Sequence, residues 1–457
     1  VTLNGGVSHW YREIGLPARR PPLDGSTEAD VCVVGAGYTG LWTAYYLKKA
    51  DPGLRIVILE REFAGYGASG RNGGWITAAL AGSRRRFAAT HGRQGVIRLQ
   101  RAMNAAVDEI IAVAAAENIE ADIVKNGMLR VAHAPAQLPR LRAQVNAAQA
   151  WDDDVVLLDA EETVARIGVA GALGASFTPH CARLQPAKLV RGLARAVERL
   201  GVPIHESTPV TRIAPHTAET PYGTVRASYV IRATEGFTAG LAGERRTWLP
   251  MNSSLIVTEP LPDQVWDRIG WAGEELLGDM SHAYIYAQRT ADGRIAIGGR
   301  GRPYRFGSRT DSDGRTHAST VRQLRDALAR LLPATLGAGI AHAWSGVLGV
   351  PRDWCSTAGL DRRTGLGWAG GYVGHGVATT NLAGRTLRDL VLGDETELTG
   401  LPWVGRRVRR WEPEPLRWLG VRGMYAAYRE ADRQETAGGR VTTSPVAKVA
   451  DWVARRE

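Results

Sequence analysis

The chain has 457 residues, 44% of them apolar, and a formal net charge of +11. That length can bury a sizeable core and predicts two or three domains in an enzyme-sized protein. No run of roughly eighteen apolar residues occurs, and the first residues lack the apolar stretch of a secretory signal, so neither a membrane span nor export is expected and the cytoplasm is the expected location. The 57 basic residues, only five of them lysine, are scattered rather than gathered into blocks, and no basic groove motif interleaved with aromatics accompanies them. No nucleic-acid partner is expected from charge so distributed. Cys32, Cys181 and Cys355 lie far apart without CxxC or Cys/His ligand spacing, which predicts no disulfide framework and no metal site.

In chain order, Ala29–Gly35 (ADVCVVG) reads as a buried strand. Tyr38–Ala50 reads as a helix closed by Asp51-Pro52-Gly53, and LRIVILE as a second strand ending at Glu60. This is the βαβ opening of a doubly wound sheet. Between strand and helix stand Gly35, Gly37 and Gly40. The first permits the tight turn, the second lets backbone approach a pyrophosphate, and the third lets helix and strand pack closely. Phosphate would sit at the helix N-terminus, where free amides and the dipole attract anions. Glu60, 25 residues after Gly35, is placed to accept hydrogen bonds from a ribose diol.

Beyond this unit, about 85–117 is helical, NGMLRVAH a strand, and 134–151 helical again. A helix follows at 186–199, and short strands between 201 and 233 suggest a meander supporting the nucleotide site. The stretch 248–347 is strand-rich, with one helix near 319–332, and reads as a second domain. Gly365, Gly367 and Gly370 spell a second GxGxxG, but it follows a polar turn and leads into further glycines rather than a helix. It is rejected as a nucleotide site, leaving one dinucleotide expected and no separate nicotinamide site. A helix at 377–392 and an Arg- and Trp-rich, partly helical tail complete the chain.

The segment Glu60–Trp75 puts small residues and paired glycines where backbone must pass a flat ring. Taken together, ADVCVVGAGYTGL, GASGRNGG, ATEGFT, GRIAIGGRG and GGYVGHGVATTNLAGRTL resemble the D-amino-acid-oxidase superfamily, and within it the gamma-glutamylputrescine-oxidase-like amine oxidoreductases. The resemblance implies an α/β (α+β overall) fold: a Rossmann-type FAD-binding domain formed by 1–82, 178–243 and 346–400, and a β-sheet-rich substrate domain formed by 83–177 and 244–345. Residues 401–457 are expected as a helical tail packed on the FAD domain. FAD, held non-covalently, would contact Gly35, Gly37, Gly40, Glu60 and Arg61; Ser69, Gly70, Arg71, Asn72, Gly73 and Gly74; Val210 in the TPVTRI strand; Ala233, Thr234 and Gly236; and Gly374, His375, Gly376 and Val377. The family more often has Asn where Glu235 stands. Cys355 lies near a region where some relatives tether flavin, yet its surroundings differ, and a buried structural thiol is expected instead.

Gly374–Val377 opens a helix, so its amides would face the flavin edge where negative charge collects on reduction. The catalytic candidates are His375, Tyr284, Tyr286 and Arg300. The two tyrosines, two residues apart, project to one face, where they could cage an ammonium, while Arg300 or Arg289 could pair with an acidic group. The implied reaction is oxidation of an aliphatic amine or amino acid by hydride transfer from the α-carbon, with oxygen or another acceptor taking the electrons. No lysine stands in RIAIGG, where some relatives use one to help oxygen react, so a dehydrogenase is the nearest alternative. A flavin monooxygenase and a non-catalytic binding protein stand further off.

Overall fold

The computed structural model describes residues 2–310, 313–436 and 439–454; residue 1 of the expected first domain, 311–312 of the second, and 437–438 and 455–457 of the tail lie outside the described residues. Strand Thr27–Val34 begins exposed and then sinks, with Val31 through Val34 buried. Apolar residues on both faces suit a central parallel strand. It pairs in parallel with Ile56–Leu59 and with Gly223–Arg232, and Ile204–His205 extends the row. Thr217–Thr220 and Arg212–Ala214 add an antiparallel edge beside Gly223–Arg232. Leu366–Gly370 docks in parallel on the far end of Gly223–Arg232 and pairs with Thr357–Asp361. The second GxGxxG is therefore sheet strand rather than a phosphate turn.

Helix Tyr38–Ala50 packs on helix Gly376–Leu392 at Gly384, where a Cβ would come within 2.7 Å of the Trp42 carbonyl carbon. The missing side chain is what lets the two backbones approach. Helix Arg84–Ala116, interrupted at Gly92 (φ 64°, ψ 179°), lays Val96, Leu99, Met103 and Ile110 into the same core as Val31, Leu41 and Leu382. Expected within the substrate domain, this helix belongs to the nucleotide-domain core. Its period shows which face is apolar but not what covers that face.

The second sheet has nine strands, ordered by first residue 3, 340, 249, 295, 286, 276, 128, 174, 156. One face, including Ile256, Ile297 and Leu129, packs on Leu324 and Leu328 of helix Ala318–Leu331. Leu255, Val257 and Trp344 on the other face pack against Trp10, Tyr11 and Phe63. Two boundaries differ from expectation. Strand Ile340–Val350 runs through the expected break at 345/346, and Leu3–Asn4 pairs with His342–Ala343, joining the chain's start to this sheet.

The tail divides, correcting part of the sequence expectation: Leu401 and Trp403 join the nucleotide-domain core and Val404 bridges Ala358, whereas the helical part that follows packs on the nine-stranded sheet instead. Val421, Tyr425 and Tyr428 of helix Leu416–Thr436 cluster with Leu249, Met251 and Val350. The Asp432 carboxylate accepts from the amides of His282 (2.7 Å) and Ala283 (2.9 Å), and Trp411 Nε1 donates to the Val350 carbonyl at 2.7 Å. Among the described residues, no helix is long and apolar enough to cross a membrane.

Candidate active site

A cavity of about 460 Å³ runs from the C-terminal ends of Thr27–Val34 and Ile56–Leu59 to the inner face of the nine-stranded sheet. Ligands of open parallel sheets bind at such strand ends. At the first end Gly35 has φ +108°, and a Cβ on it would lie 2.7 Å from the Ala233 carbonyl oxygen, so only glycine makes this turn without strain. The Ala36 amide donates to Glu60 Oε2 (2.8 Å) and the Glu62 amide to Oε1 (2.9 Å), fixing the carboxylate's orientation. Burial raises the Glu60 pKa despite these two donors. Gly37 caps helix Tyr38–Ala50, and the Tyr38 amide donates to Ser69 Oγ at 2.9 Å, tying the turn to the GASGRNGG segment.

Of the expected cofactor residues, Gly35, Gly37, Glu60, Arg61, Ser69, Arg71, Asn72, Gly73, Val210, Ala233, Thr234, Gly236, Gly374, His375, Gly376 and Val377 all line this cavity. Gly40, Gly70 and Gly74 are not among its lining residues. Gly40 is a packing glycine, whose Cβ would overlap the Gly35 carbonyl and lie 2.9 Å from Val33 Cγ1. Gly70 backs onto Gly65 and Tyr11, and Gly74 (φ +71°) onto Leu184 and Gln288.

Arg71 and Asn72 spend polar atoms inside the protein. Arg71 Nε donates to the Tyr66 carbonyl (2.8 Å), and Asn72 Nδ2 donates to the Ser69 carbonyl (2.8 Å) while its Oδ1 accepts from the Gly74 amide (2.8 Å). Val210 lies in the loop before strand Arg212–Ala214 and not within a strand. Arg61 spreads over the Phe237 ring, 5.2 Å from its centroid.

The GYVGHG segment brings the second helix start to the cavity. Gly374 has φ +107°, His375 is the N-cap residue of helix Gly376–Leu392, and its amide donates to the Tyr372 carbonyl at 2.9 Å. Tyr372, which sequence reasoning missed, lines the cavity, and its hydroxyl bonds Thr39 Oγ1 at 2.9 Å, linking the two helix N-termini. Glu235, the departure from the family pattern, has a definite place. Its carboxylate accepts from the amides of Gly371 (2.8 Å), Gly349 (3.1 Å) and Tyr372 (3.2 Å). Burial pushes its pKa up to about 7, opposed by those three donors.

At the other end stand Tyr284, Tyr286 and Arg300, all lining the cavity as expected. Tyr286 Oη shares a hydrogen bond with Ser253 Oγ (2.8 Å), and Arg300 Nη2 donates to Tyr284 Oη and the Val373 carbonyl, both at 3.2 Å. Arg289 does not reach the cavity. It donates to the Trp271 carbonyl (2.8 Å) and stacks on Trp266, which removes it as a substrate contact. Cys355 is buried, accepts from the Ser83 amide at 3.4 Å, and is not among the lining residues. Unforeseen wall residues include Trp75, Thr77, Met128, Arg130 and Asp279; Met128 and Arg130 lie in a strand read from the sequence but not assigned to the site.

Fold and site together define an α/β dinucleotide-binding protein built on two large sheets. The chain belongs to the DAO family of FAD dependent oxidoreductases, whose family model matches residues 30–390. It is 30% identical over 401 residues to the gamma-glutamylputrescine oxidoreductase of Escherichia coli K12, covering 85% of this chain and 91% of that one. It is 28% identical over 404 residues to the probable oxidoreductase OrdL of Rhizobium meliloti, covering 85% and 89%. Among solved structures, glycine oxidase from Geobacillus kaustophilus superposes with a TM-score of 0.70 at 22% identity, covering 83% of this chain and 99% of that one. The cofactor is FAD, and the cavity suits it: side-chain-free backbone at Gly35 and Gly37, a fixed carboxylate at Glu60 and two helix N-termini converge on one space.

Proposed function

We propose that the protein oxidises the CH–NH bond of an aliphatic amine or amino acid, with dioxygen taking the electrons and leaving as hydrogen peroxide. The observation that carries this reading is one continuous cavity. Its nucleotide end rests on Gly35, Gly37 and Glu60, its other end on Tyr284, Tyr286 and Arg300, and helix start Gly374–Val377 borders it. When bound there, FAD supplies a hydride acceptor for the carbon beside nitrogen, and the resulting imine hydrolyses in water.

The chain's own residues bind and orient. Tyr284 and Tyr286 offer ring faces to an ammonium or an alkyl chain. Burial raises the Tyr286 pKa, so its phenol stays protonated and acts as a hydrogen-bonding anchor with Ser253 rather than as a base. Amides at Gly374–Val377 and the positive end of their helix favour negative charge beside them. The reactive substrate is the neutral amine, so no carboxylate pair or catalytic triad is required. The name of the Escherichia coli relative supports an amine as the substrate class.

A second reading, an amine dehydrogenase with a non-oxygen acceptor, is favoured by one observation: none of the five lysines lines the cavity. An oxygen electrode decides between them. Oxygen uptake with stoichiometric peroxide and aldehyde or keto acid supports the oxidase. Amine-dependent reduction of a quinone analogue without oxygen uptake selects the dehydrogenase. A cytoplasmic location belongs with either reading.

A further inference from the structure

Four arginines line the cavity: Arg61, Arg71, Arg130 and Arg300. Three are engaged. Arg61 lies over Phe237 and near Glu62, Arg71 donates to the Tyr66 and Ser345 carbonyls, and Arg300 donates to Tyr284 and the Val373 carbonyl. Arg130 is half-buried on strand Met128–Ala132, and its guanidinium has no hydrogen-bond, ion-pair or ring partner among the described residues. Its guanidinium is thus free to pair with an anion that enters the cavity.

Sheet register places this cation relative to the proposed reaction centre. Gly298, Tyr286, Gly278 and Arg130 are successive cross-strand partners and share one face. Both neighbours of Tyr286 in this row are glycines. A Cβ at Gly298 would come within 2.5 Å of Tyr286 Cε2, and one at Gly278 would lie 3.7 Å from Trp75 Cη2. The face between Tyr286 and Arg130 is therefore bare backbone flanked by the Trp75 ring. Adjacent strands lie about 4.8 Å apart, so two steps put the Arg130 backbone roughly 10 Å from that of Tyr286. Asp279, the next residue along, also lines the cavity. Its carboxylate is engaged by the Ile285 amide (2.9 Å), Ser281 Oγ (2.6 Å) and His133 Nε2 (3.3 Å) and makes no ion pair with Arg130.

We propose that Arg130 recognises a carboxylate carried by the substrate at the end remote from the reacting C–N bond, so that the preferred substrates are linear amines with an acidic far end. This rests on the amine-oxidation reading for the reacting end. A guanidinium fork matches a carboxylate through two parallel hydrogen bonds, while the Trp75-flanked glycine face accepts an unbranched methylene spacer.

The test uses the FAD-loaded wild-type enzyme, Arg130→Met and Arg130→Lys under anaerobic conditions. Flavin reduction is followed against concentration for 5-aminopentanoate and 6-aminohexanoate beside pentylamine and hexylamine. Glutarate and adipate, which cannot be oxidised, are titrated in parallel through their perturbation of flavin absorbance. The wild type should saturate at about tenfold to hundredfold lower concentration with the carboxylated amines, the range for a hydrogen-bonded charge pair. Arg130→Met should lose that ratio while retaining flavin and melting temperature, and Arg130→Lys should restore part of it. An unchanged ratio in Arg130→Met overturns the proposal. If no amine reduces the flavin, the amine reading fails separately, and the dicarboxylates still decide: tighter binding to wild type than to Arg130→Met supports the assignment, and equal binding overturns it.

Discussion

Gly40→Ala tests whether the close packing of helix Tyr38–Ala50 on its strand holds the cofactor. The added methyl would overlap the Gly35 carbonyl, well inside the separation real Cβ atoms keep, and crowd Val33 Cγ1 at 2.9 Å. Both obstacles belong to the strand and the turn, so relief requires the helix N-terminus to retreat by roughly 1 Å. Amide-to-phosphate hydrogen bonds of about 2.9 Å then stretch beyond useful range. Losing one such charge-assisted bond costs about 1.5–3 kcal/mol, or roughly tenfold to 150-fold in FAD affinity. The repacking itself costs about 1–3 kcal/mol of stability. The assay is FAD titration of the apoprotein by flavin fluorescence quenching, with circular dichroism to confirm folding. Gly420→Ala is the control, since a Cβ there has open space and alanine favours a helix. A folded Gly40→Ala protein with wild-type FAD affinity would refute the packing argument.

Glu235 makes the stability pH-dependent. Its carboxyl pKa of about 7 in the folded chain lies above the ordinary 4.5, so the native state holds more protons in between, and stability falls as pH rises from about 4.5 to about 7. The group borders the cavity, so about 3 kcal/mol is an upper bound on that fall; Glu235→Gln, melted at several pH values in this window, should show a flatter profile. Arg300→Met leaves the half-buried Val373 carbonyl without its donor and loosens the turn before Gly374. It should lower kcat/KM about tenfold or more while flavin content holds. Gly298→Ala drives a methyl against Tyr286 and should break the Ser253 bond, raising KM for the amine about tenfold without loss of FAD.

The nucleotide end was legible because its chemistry is local. Gly35, Gly37 and Glu60 fall within one βαβ unit, and their spacing alone states what backbone and carboxylate must do. The substrate end is assembled by long-range pairing. Arg130 enters the wall because Met128–Ala132 sits beside Leu276–Asp279, a neighbour nearly 150 residues away that no local pattern reveals. Tyr372 and Glu235 were hidden for the same reason, since each acts through a partner on a distant segment. Tyr284 and Tyr286 both line the cavity, but not through the strand alternation read from the sequence: the strand starts only at Tyr286, and Ile285 between them lines the cavity as well. The long helix Arg84–Ala116 and the helical part of the tail were read as helical but assigned to the wrong neighbour, while the tail's start at Leu401 and Trp403 does join the nucleotide-domain core. Amphipathic period gives a face, and only the fold supplies what covers it.

The most direct test of the account is the visible spectrum of the purified holoenzyme, followed anaerobically while amines and amino acids are added one at a time. Flavin absorbance that bleaches with an amine, and with release of the matching aldehyde or keto acid, is the predicted result. A flavin that no amine or amino acid bleaches, or that only a reduced nicotinamide bleaches, would contradict it.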